Sequence, residues 1–162
     1  MDQPAGVLVT RLAPGFDRWD ELLSLIMQAF APMDGVIDPP SSAHLLSAES
    51  LRDKASQETV FLALQDDRIA GCVFASERDA DFYVGKLAIQ PELQGRGIGR
   101  RLMQAAEDLA RSRNKSAIEL QTRVELTANH ATFARLGFRE TARTAHQGYD
   151  RPTSITMRKE LK

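Results

Sequence analysis

The sequence predicts an α/β fold of mixed layers in a single domain, and three observations lead there. Short apolar or alternating runs of strand length recur from Val7 to Leu161, interleaved with segments whose apolar residues fall at helical spacing. Turn residues punctuate the junctions between them. No internal repeat, low-complexity tract or interdomain linker breaks residues 1–162, a length that suits one continuous core.

The run VLVTRLA, Val7 to Ala13, is predicted as the first strand. After Pro14-Gly15, the segment Asp17 to Ala31 places Trp19, Leu22, Leu23, Ile26, Met27 and Phe30 on one helical face. Pro32 should stop that helix, and the stretch from Pro32 to Ser42 is dense in turn residues. A shorter helix is expected over Ala48 to Gln57. TVFLALQ and RIAGCVFASE, separated by Asp66-Asp67, read as an antiparallel hairpin. Asp81 to Gln90 is the next strand, with Gly85 marking a bulge or a close backbone approach. A helix follows from about Gly97 to Arg113, its buried face set by Ile98, Leu102, Ala105, Ala106 and Leu109. SAIELQT is a strand; Thr127 to Leu136 is a helix with Thr127 as N-cap and Gly137 as its left-handed stop. FRETARTA and TSITMRKEL alternate and should close the sheet as a final hairpin.

Composition removes several classes of function. Basic and acidic residues nearly cancel, 21 against 22, so no global field favours nucleic acid or an anionic membrane. Cys72 is the single cysteine, which excludes an internal disulfide and a cysteine-rich zinc site and fits a reducing cytoplasm. Its apolar strand predicts an inert buried thiol. His44, His130 and His146 are scattered without ligand spacing, so no metal is expected. The opening MDQPAGVLVT lacks the basic-then-apolar pattern of a secretory leader, and no apolar stretch approaches a membrane span. A cytoplasmic protein is expected.

The chemistry concentrates in IQPELQGRGIGRRL, residues 89–102. A helix N-terminus presents unpaired amides and a partial positive charge, which suits an anion. Gly95, Gly97 and Gly99 remove Cβ atoms, so those amides can approach a bulky ligand closely. Arg96, Arg100 and Arg101 add charge beside them. A phosphate or pyrophosphate is the natural guest, although an unliganded strand-to-helix turn would use the same glycines. A dinucleotide fingerprint needs G-x-G-x-x-G, and Arg100 stands where its third glycine belongs; a nucleoside-triphosphate loop needs a lysine that does not follow.

Gln94-Gly95-Arg96-Gly97-Ile98-Gly99 resembles the Q/R-x-x-G-x-G/A pattern of the GNAT superfamily of N-acetyltransferases. It follows the strand GKLAIQPEL, opens an amphipathic helix, and is trailed by NHATFARLGF and a closing hairpin. The resemblance is strongest over Tyr83 to Phe138. It implies a mixed, mostly antiparallel central sheet flanked by helices, and acetyl-CoA as acyl donor to a primary amine. Gln94 and the amides of Gly95, Arg96, Gly97, Ile98, Gly99 and Arg100 would hold the pyrophosphate. Backbone groups of Leu87, Ala88 and Ile89 would carry the pantetheine arm as an added strand in a gap between KLAIQ and AIELQ. Asn129 and Phe133 would border that arm, and an amide at or beside Ile89 would face the acetyl oxygen.

The resemblance also marks a departure. Many members carry a tyrosine as general acid where this chain has Phe133, which donates no proton. Tyr149, in HQGYDRP, is the first substitute, with Tyr83 and His146 behind it; Tyr149 also reads as a loop aromatic fixing the turn before Pro152. Asp79, Asp81, Glu119 and Glu125 are the acids near enough to serve as base, or a water chain carries the proton. Acceptor selection is expected from Met33 to His44, where Asp34 and Asp38 would attract a cationic amine and Ser41, Ser42 and His44 would hydrogen-bond. A monomer or a homodimer is expected. The alternative is a non-catalytic acyl-CoA-binding sensor.

Overall fold

The computed structural model describes residues 6–161; the first five residues of the opening segment and Lys162 lie outside the described residues. A seven-stranded sheet runs in the order β1-β2-β3-β4-β5-β7-β6. Its strands are β1 (Val7–Arg11), β2 (Thr59–Gln65), β3 (Arg68–Glu77), β4 (Asp81–Ile89), β5 (Ala117–Arg123), β6 (Arg139–Thr144) and β7 (Ser154–Glu160). All neighbouring pairs are antiparallel except β4 and β5. The helices are α1 (Trp19–Phe30), α2 (Ala48–Gln57), α3 (Ile98–Ser112) and α4 (Thr127–Arg135). The mixed, mostly antiparallel α/β architecture expected from the sequence is the one observed.

Two cores sandwich the sheet. On one face Phe82, Val84, Ile118 and Leu120 meet Ile98, Leu102 and Ala106 of α3. On the other, Leu62, Phe74 and Ala88 meet Leu22, Leu25 and Ile26 of α1 and Leu51 of α2. Each fully buried leucine or phenylalanine contributes roughly 1.5–3 kcal/mol relative to exposure. Local signals fix the ends of several elements. Asp66 and Asp67 both take positive φ, 50° and 67°, as a tight hairpin turn requires. Ser47 and Ser50 form a reciprocal capping box at the start of α2, and Gly137 stops α4 at φ 101°.

One cap differs from expectation. Thr127 is the first helical residue of α4 rather than its N-cap; Leu126 occupies the cap, and its carbonyl receives the Asn129 and His130 amides at 3.0 and 3.2 Å. The Thr127 amide bonds instead to the Glu125 carbonyl, so the turn closes one residue earlier than the hydroxyl suggests. Among the described residues, no helix is long and apolar enough to cross a membrane.

The feature that positions the site lies in β4. Val73 of β3 faces two residues, Lys86 and Leu87, because the register shifts between Cys72↔Ala88 and Phe74↔Gly85. This bulge sits one residue beyond Gly85, and Lys86 carries its positive φ of 51°. An inserted residue reverses the facing of a strand. Accordingly the even residues Phe82 and Val84 pack beneath α3 before the bulge, and the odd residues Leu87 and Ile89 do so after it. The Cys72 thiol donates to the Lys86 carbonyl at 3.3 Å, satisfying one of the groups the bulge removes from the ladder.

Candidate active site

β4 and β5 pair over three positions only, Asp81↔Ala117, Phe82↔Ile118 and Tyr83↔Glu119, and then part. Four side chains clamp the closed end. Arg78 bonds Asp81 Oδ1 at 2.7 Å and Glu119 at 2.8 Å, while Arg158 of β7 reaches Asp81 Oδ2 at 2.8 Å and Glu119 at 3.3 Å. The Arg78 hydrogen bonds, joined by Arg158, hold the Asp81 carboxyl below its ordinary pKa. Asp81 and Glu119, two of the expected bases, are thus committed to holding strands together, and Asp79 stands in the exposed turn between β3 and β4.

Beyond the clamp the parted strands leave a cleft of about 640 Å3, with Val84 to Leu87 on one wall and Leu120 to Arg123 on the other. Its floor and rim include Met103 of α3, Asn129 and Phe133 of α4, and the 33–45 segment. Phe133 is half-buried and packs edge-on to Phe138, centroids 6.0 Å apart. The Thr122 hydroxyl on the β5 wall, in a residue only 8% exposed, has no hydrogen-bond partner among the described residues. Backbone direction shows what β4 offers to this gap. The Gln90 amide donates to Ala70 of β3 at 2.8 Å, and amide direction alternates along a strand. The Ile89 amide therefore points away from β3, to the side β5 has vacated. Its carbonyl, on the same side, accepts from the Gln94 side chain at 3.4 Å.

The glycine turn continues directly from β4. Gly95 and Gly97 take φ of 79° and 86°, and Gly97 is the N-cap of α3. The first amide of α3 with an acceptor is that of Arg101, to the Gly97 carbonyl at 3.1 Å. Among the described residues, the amides of Gly95, Arg96, Gly97, Ile98, Gly99 and Arg100 have no acceptor in the chain. Arg101 is spent on the Val7 carbonyl at 2.9 Å, whereas Arg96 and Arg100 make no ion pair among the described residues. Gly99 is the informative glycine. It has no positive φ, and a Cβ there would meet nothing within 4 Å. Among the described residues nothing requires glycine at that position, the second of α3, where alanine would favour the helix by less than the roughly 1 kcal/mol of a helix interior. The β4 edge and the glycine turn thus follow one another directly, from Leu87 to Arg100.

The expected acid and base residues separate. Tyr83 and His146 lie on the cleft wall. Burial raises the Tyr83 phenol above its ordinary pKa, opposed by a hydrogen bond from the Gln121 backbone. The His146 ring holds Thr153 Oγ1 with Nδ1, at 2.5 Å. Burial, then the nearby Arg123 charge, lower its pKa. Tyr149 lies outside the cleft wall and donates its hydroxyl to Asp38 at 2.6 Å. Asp38 also receives Arg151 at 3.2 Å, and Asp34 pairs with His44 at 2.7 Å. The two acids expected to attract an amine thus answer to side chains of their own chain. Glu125 accepts the Asp38 amide at 3.3 Å through Oε2, and its Oε1 is buried without a partner. Cys72 is buried, and burial pushes its thiol up to about 12. Lys86 and Arg123, cleft-wall residues that sequence reasoning passed over, had no local motif to mark them; the bulge and the Pro39-Pro40 contacts of Arg123 arise only in the fold.

Comparison with known proteins agrees with this geometry. A model of the acetyltransferase (GNAT) family matches residues 19–138. An IAA acetyltransferase of Azospirillum brasilense is 31% identical over 150 residues, covering 89% of this chain and 95% of that protein. N-alpha-acetyltransferase 30 of Schizosaccharomyces pombe is 36% identical over 86 residues, 50% of this chain and 57% of that one. In fold, the chain resembles a GNAT family acetyltransferase from Elizabethkingia anophelis solved with acetyl-CoA bound. That match has a TM-score of 0.70 at 18% identity, over 98% of this chain and 100% of the other.

Proposed function

The chain belongs to the GNAT family of acetyltransferases, and from that premise we propose that it moves the acetyl group of acetyl-CoA to a primary amine by direct attack in a ternary complex. The observation that carries the proposal is the parting of β4 and β5 beside a run of unpartnered amides. Acetyl-CoA supplies an activated thioester carbonyl and a good leaving group. Gly95 to Arg100 offer its pyrophosphate backbone donors, and Arg96 and Arg100 add charge at the helix N-terminus. The edge of β4 from Leu87 through Ala88 to Ile89 receives the pantetheine amides in place of the missing β5 pairing, with Asn129 and Phe133 opposite. The Ile89 amide stabilises negative charge growing on the acetyl oxygen.

An ammonium has no lone pair, and an amine of pKa near ~10.4 is mostly protonated at neutral pH, so a base is needed. We assign that role to His146. Thr153 Oγ1 accepts from the His146 amide at 2.8 Å and contacts Nδ1, while its own hydrogen reaches the Thr144 carbonyl at 3.4 Å. That arrangement is complete when Nδ1 carries the ring proton, leaving the Nε2 lone pair as the acceptor. The ammonium gives one proton to Nε2 and its freed lone pair bonds to the acetyl carbon; the carbon–sulfur bond breaks, the second nitrogen proton passes to the departing thiolate, and His146 returns its proton to solvent. Tyr149, with Arg151, holds Asp38 and so shapes the 33–45 loop.

The relatives' names, an IAA acetyltransferase and an N-alpha-acetyltransferase, point to different acceptors, so small-molecule and peptide amines are both tested. Free-thiol release from acetyl-CoA is measured across amines, amino acids, polyamines and short peptides against an amine-free blank. Release that depends on one amine class supports the proposal; acetyl-CoA binding with no amine-dependent release contradicts it.

A further inference from the structure

The acceptor end of the cleft is cationic in a chain of net charge −1. Among the described residues its wall carries Lys54, Lys86 and Arg123 and no carboxylate. Lys54 is neutralised by Glu58 at 2.8 Å. The other two form no ion pair among the described residues, although the Glu58 carboxylate also acts on Lys86 from a distance. Lys86 Nζ reaches the Ser42 hydroxyl at 3.2 Å, and Arg123 donates to the Pro39 and Pro40 carbonyls. Both residues are half-buried, and a partly desolvated charge without a counter-charge is costly. Lys86 is costly twice, because it holds φ 51° at the bulge although glycine stands next to it at position 85. Strain of this kind persists where the side chain has a task. Phe30, Met33, Ile37 and Leu45 line the same cleft, and Leu45 is 85% exposed.

We propose that the acceptor is an amine that also carries a carboxylate and an apolar side chain, such as an apolar amino acid, with Lys86 and Arg123 binding its carboxylate. This rests on the transferase reading of the cleft and adds the acceptor's chemical class to it. The carboxylate supplies the ion pair that Lys86 and Arg123 lack among the described residues, Arg123 retains N–H donors beyond its two carbonyl contacts, and Leu45 finds cover. Polyamines are disfavoured, since a second cation would meet Lys86 and Arg123.

Two measurements test the proposal. In the first, kcat/KM is compared for phenylalanine, phenylalaninamide and phenethylamine. The acid should exceed both by about tenfold, the value of one charge-assisted hydrogen bond, and Lys86→Gln should collapse that ratio. The second needs no turnover and removes the amine's own titration. N-acetylphenylalanine and its amide are bound to the coenzyme A-saturated protein by calorimetry, and the acid should bind about tenfold more tightly in the wild type but not in Lys86→Gln. Equal binding of acid and amide, or an acid preference that survives Lys86→Gln, overturns the proposal. Preferential binding of the acid without thiol release from any amine leaves the anion site standing and defeats the transferase step instead.

Discussion

At Gly99 the chain gives up helix stability with no steric reason among the described residues, and the proposed donor site places a pyrophosphate where its side chain would stand. Gly99→Leu should therefore act in opposite directions on two readouts. The fold should gain up to about 1 kcal/mol from the better helix former, seen as a higher melting temperature. Acetyl-CoA affinity should fall tenfold or more by calorimetry; unchanged affinity would remove the turn from the donor site. His146 gives a second test at this scale. As a base it works neutral, so activity is lost as pH falls through its pKa. Burial and Arg123 place that pKa below 6.5, with Glu125 as the opposing neighbour. At saturating amine, kcat should be level near neutral pH and decline only below that ordinary value. His146→Gln should lower kcat about a hundredfold and abolish the acid limb. Tyr149→Phe should change kcat less than about threefold; a large loss there would return the proton donor to Tyr149.

At the scale of elements, the clamp at the closed end of β4 and β5 decides where the cleft begins. Asp81 is 7% exposed and serves Arg78 and Arg158 together. Asp81→Asn should cost about 2 kcal/mol in denaturant unfolding, below the range for a wholly buried pair because Arg78 is partly solvated. The sign with pH follows from the lowered carboxyl pKa: the contribution is complete above the unfolded value of 3.8 and is lost as pH falls through the lower folded one. Wild type should then lose stability at acid pH more steeply than Asp81→Asn; parallel pH profiles would show that the clamp is decorative. The elements themselves were legible in the sequence because their signals are local: the Asp66-Asp67 turn, the periodicity of α3, the Gly137 stop. Gly85 brought the bulge to within one residue. The clamp was not legible, since Arg158 meets Asp81 across 77 positions, and neither was the orientation of Asp34 and Asp38, whose partners are set by loop packing.

At the scale of the whole molecule, one sheet does three things at successive points along β4. It is clamped to β5, it bulges at Lys86 to present a charged side chain and an open edge, and it ends in a turn whose amides have no acceptor among the described residues. The candidate donor half of the site stands out in the sequence because glycines and a helix start are written in consecutive residues. The proposed acceptor half does not, because the 33–45 segment, the β4 bulge and the end of β5 are brought together only by the fold. A ligand that binds the native state alone stabilises it by about 2.7 kcal/mol at a hundred times its dissociation constant, so acetyl-CoA should raise the melting temperature. The measurement that reaches the central claim most directly is free-thiol release from acetyl-CoA with and without an apolar amino acid. Amine-dependent release, accompanied by the N-acetylated amino acid in the product mixture, is the result expected. Tight acetyl-CoA binding with release at the amine-free rate across every amine tried would contradict it.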